Sequence, residues 1–285
     1  MHFVKYHGTG NDFILIDNRE LIDYEERSYD DFDNLIRKYD NIDVKTLCHP
    51  KFGIGADGLM LLQDVEGYDF EMVYYNSDGN ISTMCGNGGR CIVAFAGELG
   101  ILKSEKVKFL AIDGPHEALY LPDFSKEKVN KIVELQLKNV KEIIREGNDF
   151  VIDTGSPHYV QFVENVNEIE IIKEAHLIRY GEKYKAEGIN VNFVEIIDQQ
   201  TINVRTYERG VENETLSCGT GVTASSIAFL SKQNKLTTGI HSVKVNTPGG
   251  ALQVRFFYSS LDNEFQNVTL IGPAVKVFEG EIEIG

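Results

Sequence analysis

The chain has no tryptophan, only four cysteines among its 285 residues, and far fewer basic than acidic side chains. Four cysteines (Cys48, Cys85, Cys91, Cys218) are too few for a disulfide scaffold, and the absence of CxxC and His-x-x-x-His spacing argues against a metal site. Lys and Arg number 28 against 44 Asp and Glu, a formal net charge of −16. That balance repels phosphate backbones and anionic lipid, so neither a nucleic-acid nor a membrane partner is expected. It also requires any anionic substrate to be held by local donors, against the global field. No stretch approaches the roughly 18 apolar residues of a membrane span. Met1 to Asp17 mixes His2, Lys5, His7 and Asp12 with apolar residues and contains no signal-type apolar core. A cytoplasmic protein with reduced thiols is therefore expected. Composition, 42% apolar and 25% charged, is that of a globular protein, and at roughly 150 residues per domain the length suits about two domains.

What is present is a duplication. Asp69 to Asn76 (DFEMVYYN) reads as a strand that leads into Ser77-Asp78-Gly79, then Met84-Cys85-Gly86-Asn87-Gly88-Gly89, then a helix-like run Arg90 to Leu99 ended by Gly100. Thr201 to Glu208 (TINVRTYE) leads in the same way into Arg209-Gly210, then Ser217-Cys218-Gly219-Thr220-Gly221, then a helix-like run Val222 to Leu230. Three flanking pieces match in the same order. GTGNDFILID (Gly8 to Asp17) pairs with DTGSPHYVQFV (Asp153 to Val163), and DGLMLLQ (Asp57 to Gln63) with NVNFVEI (Asn190 to Ile196). VKFLAIDGPHEALYL (Val107 to Leu121) pairs with VKVNTPGGALQVRF (Val243 to Phe256), each a hairpin with a Gly/Pro turn. One such match arises by chance; four in one order indicate two copies of one unit. The charged stretch Asp123 to Glu146 links the copies or opens the second, and Gln266 to Ile284 is expected to hold a further strand pair that returns to the first domain.

Both copies place Cys-Gly-x-Gly immediately before a helix. The first turn of a helix leaves N–H groups unpaired and carries partial positive charge, which stabilises a thiolate and binds a carboxylate. Two such turns related by pseudo-symmetry put sulfur on both faces of one bound carbon, the layout of two-base proton transfer. A lone cysteine in a Gly-rich turn is more often a small packing residue, and Cys48 and Cys91, which lack repeat partners, read that way. His49 beside Cys48 has no third ligand in register. His158 alone reads as a structural histidine. Arg90 and Arg209 sit near the two candidate anion sites.

The blocks HGTGNDFILID, GIGADGLMLL, YNSDG…MCGNGGRC, GINVNF and YERG…ETLSCGTG resemble the diaminopimelate epimerase family, and the resemblance runs from His7 to the C-terminal GPAVKVFEGEI. It implies an α+β fold of two pseudo-symmetric domains, each a mixed β-sheet curled into a barrel around a central helix, with the active site in the cleft between them. The expected boundaries are 1–126 plus 272–285 for the first domain and 127–271 for the second. The implied activity is cofactor-independent interconversion of LL- and meso-diaminopimelate in lysine and peptidoglycan-precursor synthesis, by a cytoplasmic homodimer with no metal. By resemblance, Cys85 and Cys218 match the thiolate base and thiol acid, assisted by His158 and Glu208. Asn11, Asn76, Asn190, Glu208 and Arg209 match positions that hold the far amino-acid end of the substrate. Gly86, Asn87, Gly219 and Thr220 match helix-terminal donors to the carboxylate at the reacting carbon.

Three departures bear on recognition of the far end. Ser156 stands where the family has a substrate-holding amide, Gly58 where a Gln is frequent, and the stretch Val211 to Glu214 makes the interval from Glu208 to Cys218 one residue longer. Alternative readings are a proline or hydroxyproline racemase of the same fold, whose members typically carry a His where Asn87 stands, a thiol redox switch between Cys85 and Cys218, and a non-catalytic amino-acid-binding protein.

Overall fold

The computed structural model describes residues 1–19, 43–121 and 130–283. The chain divides into two compact units, one of Met1–Gly8, Asp12–Val133 and Ala274–Gly285, the other of Thr9–Asn11 and Glu134–Pro273. The first unit carries β1 (His2–Gly8), β2 (Asn11–Asp17), α1 (Val44–Cys48), β3 (Gly58–Gln63), β4 (Phe70–Asn76), β5 (Ile81–Ser82), α2 (Gly86–Glu98), β6 (Lys106–Ala111) and β7 (Gly114–Leu121). Next come β8 (Asn130–Gln136), β9 (Ile144–Glu146), β10 (Asp149–Asp153), β11 (Pro157–Val163), α3 (Ile171–Arg179), β12 (Asn190–Ile196), β13 (Thr201–Glu208) and β14 (Asn213–Thr215). The chain ends with α4 (Gly219–Lys232), β15 (Gly239–Thr247), β16 (Gly250–Ser259) and β17 (Glu264–Glu281). The architecture is α+β and sheet-dominated.

Strand pairing repeats between the units. In the first, β2 runs parallel to β3, β3 antiparallel to β4, β4 parallel to β6 after α2 intervenes, and β6 antiparallel to β7. In the second, β11, β12, β13, β15 and β16 repeat that order of parallel and antiparallel pairs, with α4 in the place of α2. The matched sequence blocks are these matched strands. Both hairpins turn over two residues, Ile112-Asp113 and Pro248-Gly249, and resume at Gly114 (φ 111°) and Gly250 (φ 139°), a backbone region that favours glycine.

The two helices at equivalent positions lack a solvent face. α4 reads GTGVTASSIAFLSK, and every residue from Gly221 to Leu230 is buried. A helix apolar or small on all sides packs inside a sheet rather than on it, and α4 touches β10, β11, β12, β13, β15 and β16. The hydroxyls this buries are spent locally, Thr223 on the Gly219 carbonyl at 2.9 Å and Ser226 on the Val222 carbonyl at 2.9 Å. The α2 helix is buried from Asn87 to Ala96. A second cluster, built from Ile171, Ala175, Val191, Phe193 and Tyr207, packs α3 against the other side of β12 and β13.

Two details differ from expectation. Both helices begin directly after their cysteines, at Gly86 and Gly219, ahead of the apolar runs that mark them in the sequence; glycines of low helix propensity are helical here because the surrounding packing outweighs roughly 1 kcal/mol per glycine. The C-terminal segment is one 18-residue strand, β17, and not a strand pair. Its first part pairs with β16 over Glu264–Ile271 and its last with β1 over Val275–Glu281, so one continuous strand supplies partners in both units. Of the charged stretch Asp123 to Glu146, residues 123–129 lie outside the described residues, and the remainder carries β8, which runs from the first unit into the second at Val133–Glu134, and β9.

Candidate active site

In the first unit Cys85 is the N-cap of α2, and its Sγ accepts the Gly88 N–H at 3.2 Å. A Cβ on Gly88 would lie 2.1 Å from Met60 Cε and 3.1 Å from Cys85 Sγ, so a larger residue there would have to push the Met60 tip aside and crowd the sulfur. Gly86 opens the helix, and Asn87 is buried behind it. Arg90 is wholly buried beneath this turn. Its guanidinium donates to the Gly86 carbonyl and to Asn87 Oδ1, both at 3.0 Å, bracing the turn from beneath. Burial pulls Arg90 down to about 10, which leaves it cationic at neutral pH beside Cys85. The Gly88 N–H and the Arg90 charge both favour negative charge on Cys85 Sγ. Asn76 ends β4, half-buried, its N–H on the Asn80 carbonyl at 2.9 Å.

In the second unit Cys218 is the N-cap of α4. The thiol is 9% exposed; burial, aided by the Glu208 carboxylate, pushes it up to about 12, against the opposing Thr220 hydroxyl. Thr220 Oγ1 lies 3.4 Å from Cys218 Sγ and 2.9 Å from His158 Nε2. His158 is fully buried, and burial holds its imidazole down to about 3, so it is neutral. Gly219 opens the helix. Glu208 ends β13, and Asn11 begins β2, each half-buried.

Asn190 is a hub. Its amide donates to Ser156 Oγ at 2.8 Å and to the Pro157 carbonyl at 3.0 Å, and its Oδ1 accepts the Arg209 N–H at 2.8 Å. Arg209 in turn reaches the Glu187 carbonyl at 3.0 Å and Ser156 Oγ at 3.4 Å. The hydroxyl at Ser156 thus links Asn190 with Arg209, and Asn190 holds these two in place.

The longer interval before Cys218 contains a second anchor. Glu212, at φ 56°, accepts the Arg179 guanidinium at 3.0 Å and the Tyr180 and Tyr207 hydroxyls at 2.9 Å each, while its N–H bonds the Glu208 carbonyl at 2.8 Å. Burial works to raise this carboxyl; the Gly210 N–H, the two hydroxyls and Arg179 outweigh it and bring it down to about 2. A carboxyl lowered on folding stabilises the folded state fully above its ordinary value of 4.5, and that contribution fades as pH falls through about 2. Glu212→Gln is therefore expected to lower stability in urea unfolding at pH 6–7, with the gap to the parent closing progressively below about pH 4.5. A gap independent of pH would show that the charge is not what anchors this turn.

Some functional neighbours escaped sequence reasoning. Asn192 and Thr206 join His158, and Thr154 Oγ1 donates to the Thr220 carbonyl at 2.9 Å. The signal for Asn192 was its spacing: Asn190 and Asn192 are two apart on one strand and so share a face, unusual for two amides in a run as apolar as NVNFV. At Gly58 a Cβ would meet the Tyr74 ring at 2.5 Å and the Tyr75 carbonyl at 2.6 Å, so Tyr74 fills the space that a glutamine there would need. Cys48 and Cys91 are buried, and His49 Nδ1 accepts the N–H groups of Lys51 and Phe52, closing a turn. Among the described residues, no group of three or more His, Cys, Asp or Glu is placed to hold a metal ion, and no helix is long and apolar enough to cross a membrane.

Comparison with known proteins matches residues 3–131 and 150–277 to the family model described as diaminopimelate epimerase. Similar curated relatives include the diaminopimelate epimerase of Flavobacterium psychrophilum, 46% identical over 282 residues covering 99% of this chain and 100% of that protein. That of Chlorobaculum tepidum is 37% identical over 281 residues, covering 97% and 99%. Among solved structures, a PhzF-family phenazine biosynthesis protein from Bacillus anthracis superposes with a TM-score of 0.71 at 13% identity, covering 100% of this chain and 99% of that one. A hydroxyproline epimerase from Agrobacterium vitis gives 0.65 at 13% identity, covering 99% and 90%. At these identities the structural matches establish a shared fold.

Proposed function

The chain belongs to the diaminopimelate epimerase family, and on that premise we propose that it interconverts LL- and meso-diaminopimelate by proton transfer at Cα between Cys85 and Cys218. The observation that carries this reading is the placement of both cysteines as N-caps of the two central helices, at equivalent points of a duplicated unit. In this reading Cys85 is the resting thiolate, favoured by the Gly88 N–H and Arg90, and Cys218 the resting thiol, kept protonated by burial and Glu208. A thiolate is a weak base for a proton alpha to a carboxylate, so the developing charge must be met by preorganised donors. The first-turn N–H groups at Gly86-Asn87 and Gly219-Thr220 supply them, with the positive ends of two helix dipoles. The resting thiol then delivers its proton to the opposite face. His158 assists as a neutral group. Asn11, Asn76, Asn190, Ser156, Glu208 and Arg209 hold the distal ammonium and carboxylate, and we place the enzyme in the cytoplasm as a homodimer that uses no cofactor.

Incubation with LL-diaminopimelate in D₂O tests this: deuterium is expected at one Cα as the isomer ratio moves toward equilibrium. Isomerisation without solvent deuterium would rule out proton transfer through exchangeable thiols, and the absence of any turnover would remove the substrate assignment. A proline-type racemase fits less well because Asn87, where those proteins typically have a His, is bound into the buried Arg90 brace.

The distal end yields a separate test. Arg209 donates through Nη1 to the Glu187 carbonyl and through Nη2 to Ser156 Oγ, two anchors that fix the fork of N–H groups and that a lysine could not reproduce. Arg209→Lys is expected to raise KM by the equivalent of about 1.5–3 kcal/mol, one charged hydrogen bond, with kcat less affected. A fall in kcat at unchanged KM would place Arg209 in the chemical step instead.

A further inference from the structure

The contacts around Cys218 form a chain whose direction is set at its far end. Asn192 is completely buried on β12. Its Nδ2 lies 3.0 Å from the Tyr159 carbonyl, an acceptor only, so that end of the amide is the NH₂ group. The same Nδ2 lies 3.1 Å from His158 Nδ1, and Asn192 Oδ1 accepts the Thr206 hydroxyl at 2.9 Å. An amide so held from two sides cannot flip, and it offers His158 Nδ1 a hydrogen. A neutral imidazole that accepts at Nδ1 carries its proton on Nε2. That N–H points at Thr220 Oγ1, 2.9 Å away, which occupies an acceptor site of the hydroxyl and leaves its single hydrogen to be directed at Cys218 Sγ, 3.4 Å further on. Space is tight at the bend: a Cβ on Gly221 would lie 2.4 Å from Asn192 Oδ1 and 3.3 Å from His158 Nδ1.

We propose that Asn192, fastened by Thr206 and the Tyr159 carbonyl, is a positioning residue that locks the Nε2–H tautomer of His158 and thereby orients the Thr220 hydroxyl as a hydrogen-bond donor to the Cys218 thiolate. Rested on the epimerase reading, the chain serves whichever half of the reaction leaves Cys218 negatively charged, offsetting the burial and the Glu208 charge that oppose that state. His158 therefore acts without changing its own protonation: burial keeps the ring neutral.

The direct readout is long-range proton–nitrogen NMR of the ¹⁵N-histidine-labelled full chain. The His158 ring is expected as the neutral Nε2–H form throughout pH 6–9; an Nδ1–H ring or an imidazolium in that range would overturn the proposal. Asn192→Asp, whose carboxylate accepts instead of donating, is expected to move the proton to Nδ1, and an unchanged tautomer in that variant, if folded, also overturns it. A second pair of variants does not depend on Asn192 folding. In Thr220→Val, iodoacetamide alkylation of Cys218 followed by peptide mass spectrometry is expected to slow about tenfold at fixed pH, as one hydrogen bond to a charged sulfur is lost. Thr220→Ser is expected to restore the rate, with Cys85 unaffected in both. Equal slowing at both cysteines, or no slowing at Cys218, rejects the chain. None of these readouts requires turnover, so a failure to epimerise diaminopimelate in the parent would count against the substrate assignment and leave this test intact.

Discussion

Cys85→Ala and Cys218→Ala are each expected to lose epimerisation, by at least the 10²–10⁴-fold typical of removing a general acid or base, while substrate binding survives. The reasoning follows from what each sulfur touches. Neither cysteine belongs to the Asn190–Ser156–Arg209 cluster assigned to the distal end of the substrate. The first-turn N–H groups that would hold the carboxylate are backbone and remain after either substitution. Loss of one thiol therefore removes a proton donor or acceptor and leaves the binding groups in place. Calorimetric titration with diaminopimelate, alongside deuterium incorporation, separates the two quantities. A loss of affinity in the cysteine variants as large as in Arg209→Lys would show that binding and proton transfer are not divided in this way. The same asymmetry governs alkylation of the parent: Cys85, half-buried and beside the Gly88 N–H and Arg90, is expected to react ahead of Cys218, whose thiol is pushed up to about 12.

Phe229→Ala is expected to cost about 3–5 kcal/mol of folding stability, the range for deleting a buried aromatic side chain. Phe229 is fully buried in the cluster formed with Ile152, Val160, Val204, Val245, Val254 and Leu270, residues of six different strands. The α4 helix has mostly small neighbours along its length (Ala224, Ser225, Ser226, Ala228), so the large side chains carry a disproportionate share of its packing. Because Cys218 is the N-cap of this helix, the substitution is expected to loosen the site as well as the core. Urea unfolding measures the stability, and Phe229→Leu, which keeps most of the volume, is expected to recover most of it. A loss below about 1 kcal/mol would mean that the surrounding strands collapse onto the helix and that α4 is not the rigid support assumed for Cys218.

Much of this molecule was readable from order and spacing. The duplication needed only four matched blocks, because in each unit the paired strands follow one another in the sheet in the order they have in the chain. The position of each cysteine ahead of a helix was equally plain, since N-cap chemistry is decided within four residues. The family resemblance implied a central helix in each domain, and both helices are buried along most of their length. The departure at Ser156 marked a position where this chain differs from the family pattern, and there its hydroxyl links Asn190 with Arg209.

The remaining features depend on residues distant in sequence. Arg90 reads as a cation near a candidate anion site; only the structure shows that it is buried, satisfied by the Gly86 carbonyl and Asn87 Oδ1 of the turn it braces. Gly58 reads as a lost glutamine until Tyr74, sixteen positions on, is seen to occupy the space. The C-terminal strand pair became one strand because partners for its two ends lie on β16 and β1, near opposite ends of the chain. Asn192 and His158 are 34 residues apart, and neither position alone carries any sign of the amide that directs the imidazole. Periodicity and caps are properties of neighbours in sequence, so the sequence alone determined the repeated unit and the two thiols. Burial, hydrogen-bond direction and the space left for a side chain belong to neighbours in space, and only the tertiary structure decided them.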